Sequence, residues 1–220
     1  MAEDQLSMGQ GRCICAARTL LQPSQAVLQT GSAADVFRDM LTAVHQVNRH
    51  GPHDDRIAIG FPGLVAARGL LALGREIEAY GSEGALERLL AHDLVMRAAR
   101  RDMIETPEIH ETWIDEGETG TAFIRSRTGE KSTPAGLARA QRRFLKRAEG
   151  TDREWVERRH RGARLRRDLP FFHASDCRVT FEAVAMPCAA EILVSTYGLS
   201  AKGTGAGLPI VLAGADLAAA

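Results

Sequence analysis

Residues 32–61 read SAADVFRDMLTAVHQVNRHGPHDDRIAIGF, and the spacing of their apolar residues decides the first half of the fold. Ser32 offers a hydroxyl cap, and Asp35 completes a weak capping box. Apolar residues then recur at helical spacing, at Val36, Phe37, Met40, Leu41, Val44 and Val47. The helix is expected to end near Gly51, and residues 56–61 alternate like a strand. The stretch therefore predicts a helix that leads directly into a strand.

The flanking residues extend this pair to a β-α-β-β-α-β order. Residues 12–21 are interpreted as the first strand and residues 74–80 as the third. Ser82 caps a second, leucine-rich helix, and residues 95–104 close the pattern as a fourth strand. This order is that of the ferredoxin-like arrangement. We therefore predict a ferredoxin-like domain over residues 1–120.

A second domain is predicted over residues 121–220, after an acidic, turn-rich boundary at 105–121. Its short strands are expected near residues 121–126, 171–174, 178–185 and 191–196. Between the first two strands, Ser132 and Pro134 begin a helix, STPAGLARAQRRFLKRA. The fold class is therefore α+β, with an arginine-rich helix carried by the second domain.

The cations of this helix lie along one stripe. Their spacing gathers Arg139, Arg142, Arg143, Lys146 and Arg147 on one face at roughly 3.6 residues per turn. Further candidate contacts for a polyanion precede and follow the helix, at Arg125, Arg127, Arg158 and Arg159. A solvated helix face is the alternative interpretation. Arginine favours phosphate, because its planar guanidinium can form two parallel hydrogen bonds to it.

The charge distribution supports a polyanionic partner. The chain carries 28 Lys and Arg against 28 Asp and Glu, so it is neutral overall. Residues 121–170 hold 15 of those cations and 6 of the acids, whereas the rest of the chain holds 13 and 22. A strongly basic segment is therefore embedded in an acidic remainder, and nucleic acid is the expected partner.

Other classes of protein are disfavoured. No apolar run approaches the roughly 20 residues that span a bilayer, and residues 1–10 lack a signal-peptide core, so we expect no membrane and a cytoplasmic location. The four cysteines form no C-x-x-C pair and are expected to be small buried hydrophobes. The glycines at 203–207 lack the lysine-serine ending of a phosphate loop. We expect no cofactor and no metal.

Four segments, in this order, resemble the CRISPR-associated endoribonucleases that cut precursor CRISPR RNA, the Cas6 family. They are AVHQVNRHGPHDDRIAIGFP at 43–62, STPAGLARAQRRFLKR at 132–147, DLPFF at 168–172 and YGLS at 197–200. The resemblance is to the type I-F branch or its type IV relative. It implies a ferredoxin-like domain with a catalytic histidine, and an arginine-rich helix in the major groove of a repeat hairpin. It also implies cleavage without metal, a retained product, and other subunits of an RNA-guided complex as further partners.

The resemblance also implies roles for individual residues. His45 matches the catalytic histidine, Ser175 the active-site serine, and Tyr197 the tyrosine that supports the histidine. Arg127 matches an arginine that contacts a base edge. Arg38 is a candidate from spacing, because it precedes His45 by seven residues on the same helix and can face the same pocket.

Two positions depart from the family pattern. Gly129 stands where the type I-F enzymes have a base-reading glutamine, and Cys177 replaces a second serine. Helical periodicity by itself favours a half-buried structural role for His45.

The chemistry needs few groups, because RNA supplies its own 2′-hydroxyl nucleophile. A base, an in-line geometry and charge stabilisation at the phosphate are then sufficient. The expected products are a 2′,3′-cyclic phosphate and a 5′-hydroxyl. A non-catalytic RNA-hairpin binder that caps a guide RNA remains the alternative function. A structural RNA-binding protein would explain the basic helix but not the order of the segments.

Overall fold

The computed structural model describes residues 9–67, 70–126, 169–175 and 177–212. The predicted basic helix and the candidate contacts that follow it, Arg158 and Arg159, lie outside these residues. The described helices are α1 (Gln25–Thr30), α2 (Ala33–His50), α3 (Glu83–Leu90) and α4 (Asp93–Arg100). The described strands are β1 (Gln10–Ile14), β2 (Ala17–Leu21), β3 (Ala58–Gly60), β4 (Val65–Ala67), β5 (Leu70–Ala72), β6 (Ile77–Gly81), β7 (Ile109–Glu111), β8 (Thr119–Arg125), β9 (Phe171–Ala174), β10 (Cys177–Pro187) and β11 (Glu191–Ser195). The chain thus forms a mixed α and β fold with several antiparallel sheets.

The first half of the chain builds a four-stranded antiparallel sheet in the order β3-β6-β2-β7. Helix α3 packs on β2 and β6, and α2 contacts both α3 and α4. Strands β4 and β5 form a separate small hairpin between β3 and β6. The sheet and its helices therefore hold α2 in place.

The prediction of helix α2 is confirmed, since it runs from Ala33 to His50 and buries Val36, Met40 and Val44. The expected cap is not formed, because the Ser32 side chain makes no capping hydrogen bond. Its C-terminal end is anchored by a pair of hydrogen bonds with the segment that leads into β3. The Asn48 side chain donates to the Ile57 carbonyl and accepts the Ile57 N–H, both at 2.8 Å. This buried amide positions the last turns of α2 against β3.

The prediction of a fourth strand at residues 95–104 is wrong, because most of that stretch is helix α4. The His92 side chain caps this helix by accepting the N–H of Leu94 at 3.2 Å. Val95 and Ala98 are buried three residues apart, which is helical spacing. The fourth position of the sheet is occupied instead by β7, an edge strand whose polar sequence IHE carries little strand signal.

The prediction of a single first strand at residues 12–21 is also wrong. The stretch divides at Cys15 and Ala16 into β1, which pairs with β11, and β2, which pairs with β6 and β7. Cys13 and Cys15 are buried as expected, with their Sγ atoms 3.8 Å apart. Cys177 is exposed, in contrast to the buried position expected of it.

The predicted strands of the second half are confirmed as β8, β9, β10 and β11. Strand β10 lies between β8 and β9 in an antiparallel sheet. Ser200 forms bridges to both Ile124 of β8 and Val194 of β11. Strand β9 packs on α2, which brings the second half of the chain against the helix of His45.

Four phenylalanines join the two halves in one core. Phe61 follows β3. Its ring centroid lies 5.1 Å from that of Phe181, 5.6 Å from that of Phe123 and 5.7 Å from that of Phe172. All four rings are buried. The predicted domain boundary at residue 120 falls within β8 and stays a prediction. In the part of the chain described here, none of the helices combines the length and apolar character that crossing a membrane requires.

Candidate active site

His45 lies in the fourth turn of α2 and is partly buried. Its Nδ1 is 3.2 Å from the backbone carbonyl oxygen of Thr196. A carbonyl oxygen can only accept, so Nδ1 carries the proton and donates it to this bond. In the neutral ring, Nε2 then holds a lone pair. The contact with Thr196 therefore selects the tautomer that can accept a proton at Nε2.

Tyr197 holds the plane of the His45 ring. The two rings stack with centroids 4.2 Å apart and an angle of 8° between their planes. The Arg125 guanidinium lies 4.5 Å from the centroid of the Tyr197 ring, within cation–π range. A tyrosine from the loop after β11 and an arginine from the end of β8 are thus assembled on α2.

The surroundings of His45 favour its neutral form. Burial lowers the pKa of His45 from its ordinary value of 6.5. The positive charges of Arg49 and Arg125 lower this pKa further, while the hydrogen bond to Thr196 raises it. A neutral imidazole near neutral pH is the form that a general base requires.

Ser175 lies in the turn between β9 and β10 and reaches α2 through Thr42. Its N–H donates to Thr42 Oγ1 at 2.7 Å, and Thr42 Oγ1 in turn donates to the Arg38 carbonyl at 2.7 Å. Ser175 has φ of +50°, in the left-handed region that a serine seldom adopts. Thr42 precedes His45 by three residues, so this threonine brings Ser175 within about one helical turn of His45.

Arg38 lies two turns before His45 on α2 and is ion-paired with Asp35 at 3.0 Å. Its side chain lines a cavity of about 320 Å³ between α2, β9 and the residues just before β6. Among the described residues that line this cavity, His45 is absent. Arg38 and His45 therefore lie on the same helix, but His45 does not line the cavity that Arg38 lines.

Of the residues predicted to bind RNA, Arg125 is the one in the described part of the chain, at the end of β8. The rest lie outside it, namely Arg127, Arg139, Arg142, Arg143, Lys146, Arg147, Arg158 and Arg159. Their assignment to RNA stays a prediction.

Two contributors to the site were missed by sequence reasoning. Thr196 acts through its backbone carbonyl, which leaves no residue-type signal in a sequence. Thr42 could have been found from its spacing, because residues three apart on a helix are neighbours. Within residues 9–67, 70–126, 169–175 and 177–212, no cluster of three or more His, Cys, Asp or Glu could hold a metal ion.

Comparison with known proteins yields one family. The family model described as CRISPR-associated protein, Cas_Csy4, matches residues 28–210. The match includes α2 and the loop that carries Tyr197. It also includes residues 127–168, which lie outside the described residues. A search of curated proteins found no match.

Proposed function

We propose that this chain, which belongs to the Cas_Csy4 family of CRISPR-associated proteins, is a metal-independent endoribonuclease that cuts precursor CRISPR RNA at a repeat hairpin. Family membership supports the processing or binding of CRISPR RNA. The observation that carries the cleavage step is the arrangement of His45, with Nδ1 held by Thr196 and the ring stacked on Tyr197. This arrangement leaves Nε2 as the proton acceptor.

In the proposed reaction, Nε2 of His45 takes the proton of the 2′-hydroxyl beside the cleaved phosphate. The 2′-oxygen then attacks the phosphorus, and the bond to the leaving 5′-oxygen breaks. The leaving oxygen takes up a proton from solvent and becomes a 5′-hydroxyl, while the other fragment ends in a 2′,3′-cyclic phosphate. His45 then releases its proton to solvent. The nucleophile belongs to the RNA, so the mechanism calls for no metal-bound water.

Ser175 and Tyr197 are assigned positioning roles. Thr42 fixes the backbone of Ser175 close to His45, so the serine hydroxyl is suited to orient the ribose or the phosphate. Tyr197 keeps the imidazole in one plane by stacking. A general base must approach its proton within hydrogen-bonding distance, so ring orientation contributes directly to the rate.

Positive charge near the phosphate is assigned to Arg38 on α2 and Arg125 beside Tyr197. A guanidinium can stabilise the charge that develops on the phosphate oxygens during attack. Affinity for the hairpin is assigned to the basic segment at residues 127–168, whose cations neutralise backbone phosphates. Binding and cleavage thus depend on different parts of the chain, which suits a protein that retains its product.

We also infer that the four-stranded sheet and its helices form a ferredoxin-like domain. The four strands of this sheet and their helices support this. Along the chain they follow as β2, α2, β3, β6, then α3 and α4, then β7, which is the β-α-β-β-α-β order of that arrangement. The proposed division places residues 1–120 in this domain and residues 121–220 in the RNA-binding domain. The proposed partners are the repeat hairpin and other subunits of an RNA-guided complex in the cytoplasm.

Incubation with the repeat hairpin RNA in EDTA tests the proposed activity. We expect one cut at the foot of the hairpin, a 2′,3′-cyclic phosphate on the retained fragment, and a product that stays bound through gel filtration. Intact RNA in a stable complex would instead support the alternative function, a non-catalytic subunit that caps a guide RNA. The absence of both binding and cutting would contradict both functions.

A further inference from the structure

The cavity beside Arg38 has no role in the mechanism above, although it opens on the helix of His45. Its walls are mainly apolar and come from Leu28, Phe37, Leu41, Leu73, Phe171 and Phe172. Three side chains add polar or charged atoms to the lining, namely Arg38, Arg75 and His173. The volume of about 320 Å³ lies at the lower end of the roughly 300 to 1,000 Å³ found for small-molecule sites.

The cavity and the candidate base lie along one face of α2. Ala34, Arg38, Leu41 and His45 follow one another at spacings of four, three and four residues, which is the spacing of a single helix face. Arg38 and His45 are separated by about 10 Å along the helix axis, at 1.5 Å per residue. An RNA strand that runs along α2 from His45 towards Arg38 would place the nucleotides that flank the cut beside the cavity.

The composition of the cavity matches a nucleobase on a charged backbone. Flat aromatic rings can stack on any base. Phe171 is 41 % exposed, and the guanidinium of Arg178 lies 3.7 Å from its ring centroid. Arg75 is exposed and forms no ion pair with the described residues, so its charge can meet a phosphate.

We propose that this cavity binds the base of one unpaired nucleotide that flanks the cleaved phosphate. The inference rests on the proposed function, since it takes the RNA to lie along α2 at His45. The aromatic walls stack on the base, and His173 is positioned at the lining to contact its edge. Arg75 holds a phosphate next to that base, and Arg38 keeps the role at the cleaved phosphate that is proposed above. The subsite would orient the strand for in-line attack, because it fixes the RNA at a second point beyond the hairpin.

The test measures binding with RNA that cannot be cut, in which the scissile nucleotide is 2′-deoxy. An abasic site is introduced in turn at each of the three unpaired nucleotides nearest the cleavage position. With the wild-type protein, we expect one abasic position to weaken binding roughly 5- to 150-fold. This is the loss of affinity typical when one base stacked on aromatic side chains is removed.

The cavity variant Ala34→Phe fills the space from an exposed position without removing a wall. In this variant, the sensitive abasic position should change affinity by no more than about twofold. The matched control Ala26→Phe makes the same substitution on exposed α1, outside the cavity lining, and should keep the full abasic penalty. Phe171→Ala, which opens the cavity instead, should also reduce the penalty, and circular dichroism melts establish that each variant is folded.

Equal abasic penalties in the wild-type protein and both cavity variants would overturn the inference, as would the lack of any sensitive position. Hairpin cleavage that persists in that case would leave the proposed function standing. Because the assay measures binding, a protein that holds the hairpin without cutting it would still show the subsite. A chain that does not bind the hairpin at all would overturn both proposals.

Discussion

The rings of His45 and Tyr197 lie face to face, with centroids 4.2 Å apart and planes 8° from parallel, although 152 positions separate the two residues in the chain. The residue before Tyr197 provides the carbonyl that holds His45 Nδ1. A single short loop after β11 thus controls both the plane of the imidazole and its tautomer.

His45→Ala should slow cleavage by about 10² to 10⁴, the usual contribution of a general base, and leave hairpin affinity close to wild type. Single-turnover rates and equilibrium binding measure the two effects separately. His110→Ala is the control, because His110 is exposed on the edge strand β7. If His45→Ala cuts at the wild-type rate while Arg38→Ala is inactive, His45 is not the general base. A mechanism centred on arginine would then take its place.

The pH dependence of cleavage should show one acidic limb with a midpoint below 6.5. Burial and nearby arginines lower the pKa of His45, so the proton acceptor stays unprotonated until the pH falls below that lowered pKa. Arg49→Gln removes one of the charges that lower this pKa, and should move the midpoint to higher pH. Single-turnover rates between pH 4.5 and 8 measure the midpoint.

The same shift has a consequence for stability. The folded state disfavours the proton on His45, so the unfolded state binds more protons as the pH falls. The contribution of His45 to stability should be present above pH 6.5 and be lost as the pH falls through its folded pKa. Thermal melts of wild type and His45→Gln over this range should converge at low pH.

Tyr197→Phe should retain nearly full activity, because the stacked ring remains. Tyr197→Ala removes the ring and should slow cleavage by roughly 2- to 10-fold, corresponding to about 0.5 to 1.5 kcal/mol for an aromatic pair. A similar loss in both variants would show that the hydroxyl, and not the stacking, matters. Single-turnover rates at saturating RNA isolate this effect from binding.

Thr42→Val should impair cleavage more than binding, since it removes the hydroxyl that accepts the Ser175 N–H. Loss of such a hydrogen bond costs about 1 kcal/mol. Thr42→Ser keeps the hydroxyl and is the matched control. Rates in both variants near that of the wild type would contradict the positioning role of this contact.

Ser175→Gly separates the hydroxyl of this residue from its backbone. Glycine accepts the φ of +50° readily, so the turn should persist while the hydroxyl is lost. Cleavage should slow with unchanged thermal stability. Ser175→Ala should be less stable than the glycine variant, because alanine pays for the left-handed conformation.

Replacing Arg142 and Arg143 together with alanine should weaken hairpin binding. The slope of log affinity against log salt should become shallower by roughly one to two, because fewer counterions are released. Binding measured at several salt concentrations provides the slope. An unchanged slope would remove the predicted helix from the interface.

Local patterns in the sequence were sufficient for much of the fold. The apolar period of α2 and the cap at Ser82 specify helices because neighbouring residues suffice to define them. The strands of the second half were likewise expected from the local sequence. The apolar pattern gave the wrong element at residues 95–104, because a short amphipathic helix and a strand have similar apolar patterns. It also missed β7, a polar edge strand that is defined by its pairing with β2.

By itself, the sequence determined the helix that carries His45, the basic character of residues 121–170, and the order of segments that nominates Ser175 and Tyr197. Only the tertiary structure decided how His45 is held. Every residue has the same backbone carbonyl, so the residue type at position 196 does not predict that this carbonyl accepts a hydrogen bond from His45 Nδ1. The stacking of Tyr197 depends on β11 pairing with β1 and on the packing of the later strands against α2. Contacts between distant segments, and not local preference, therefore convert a helix histidine into a candidate base.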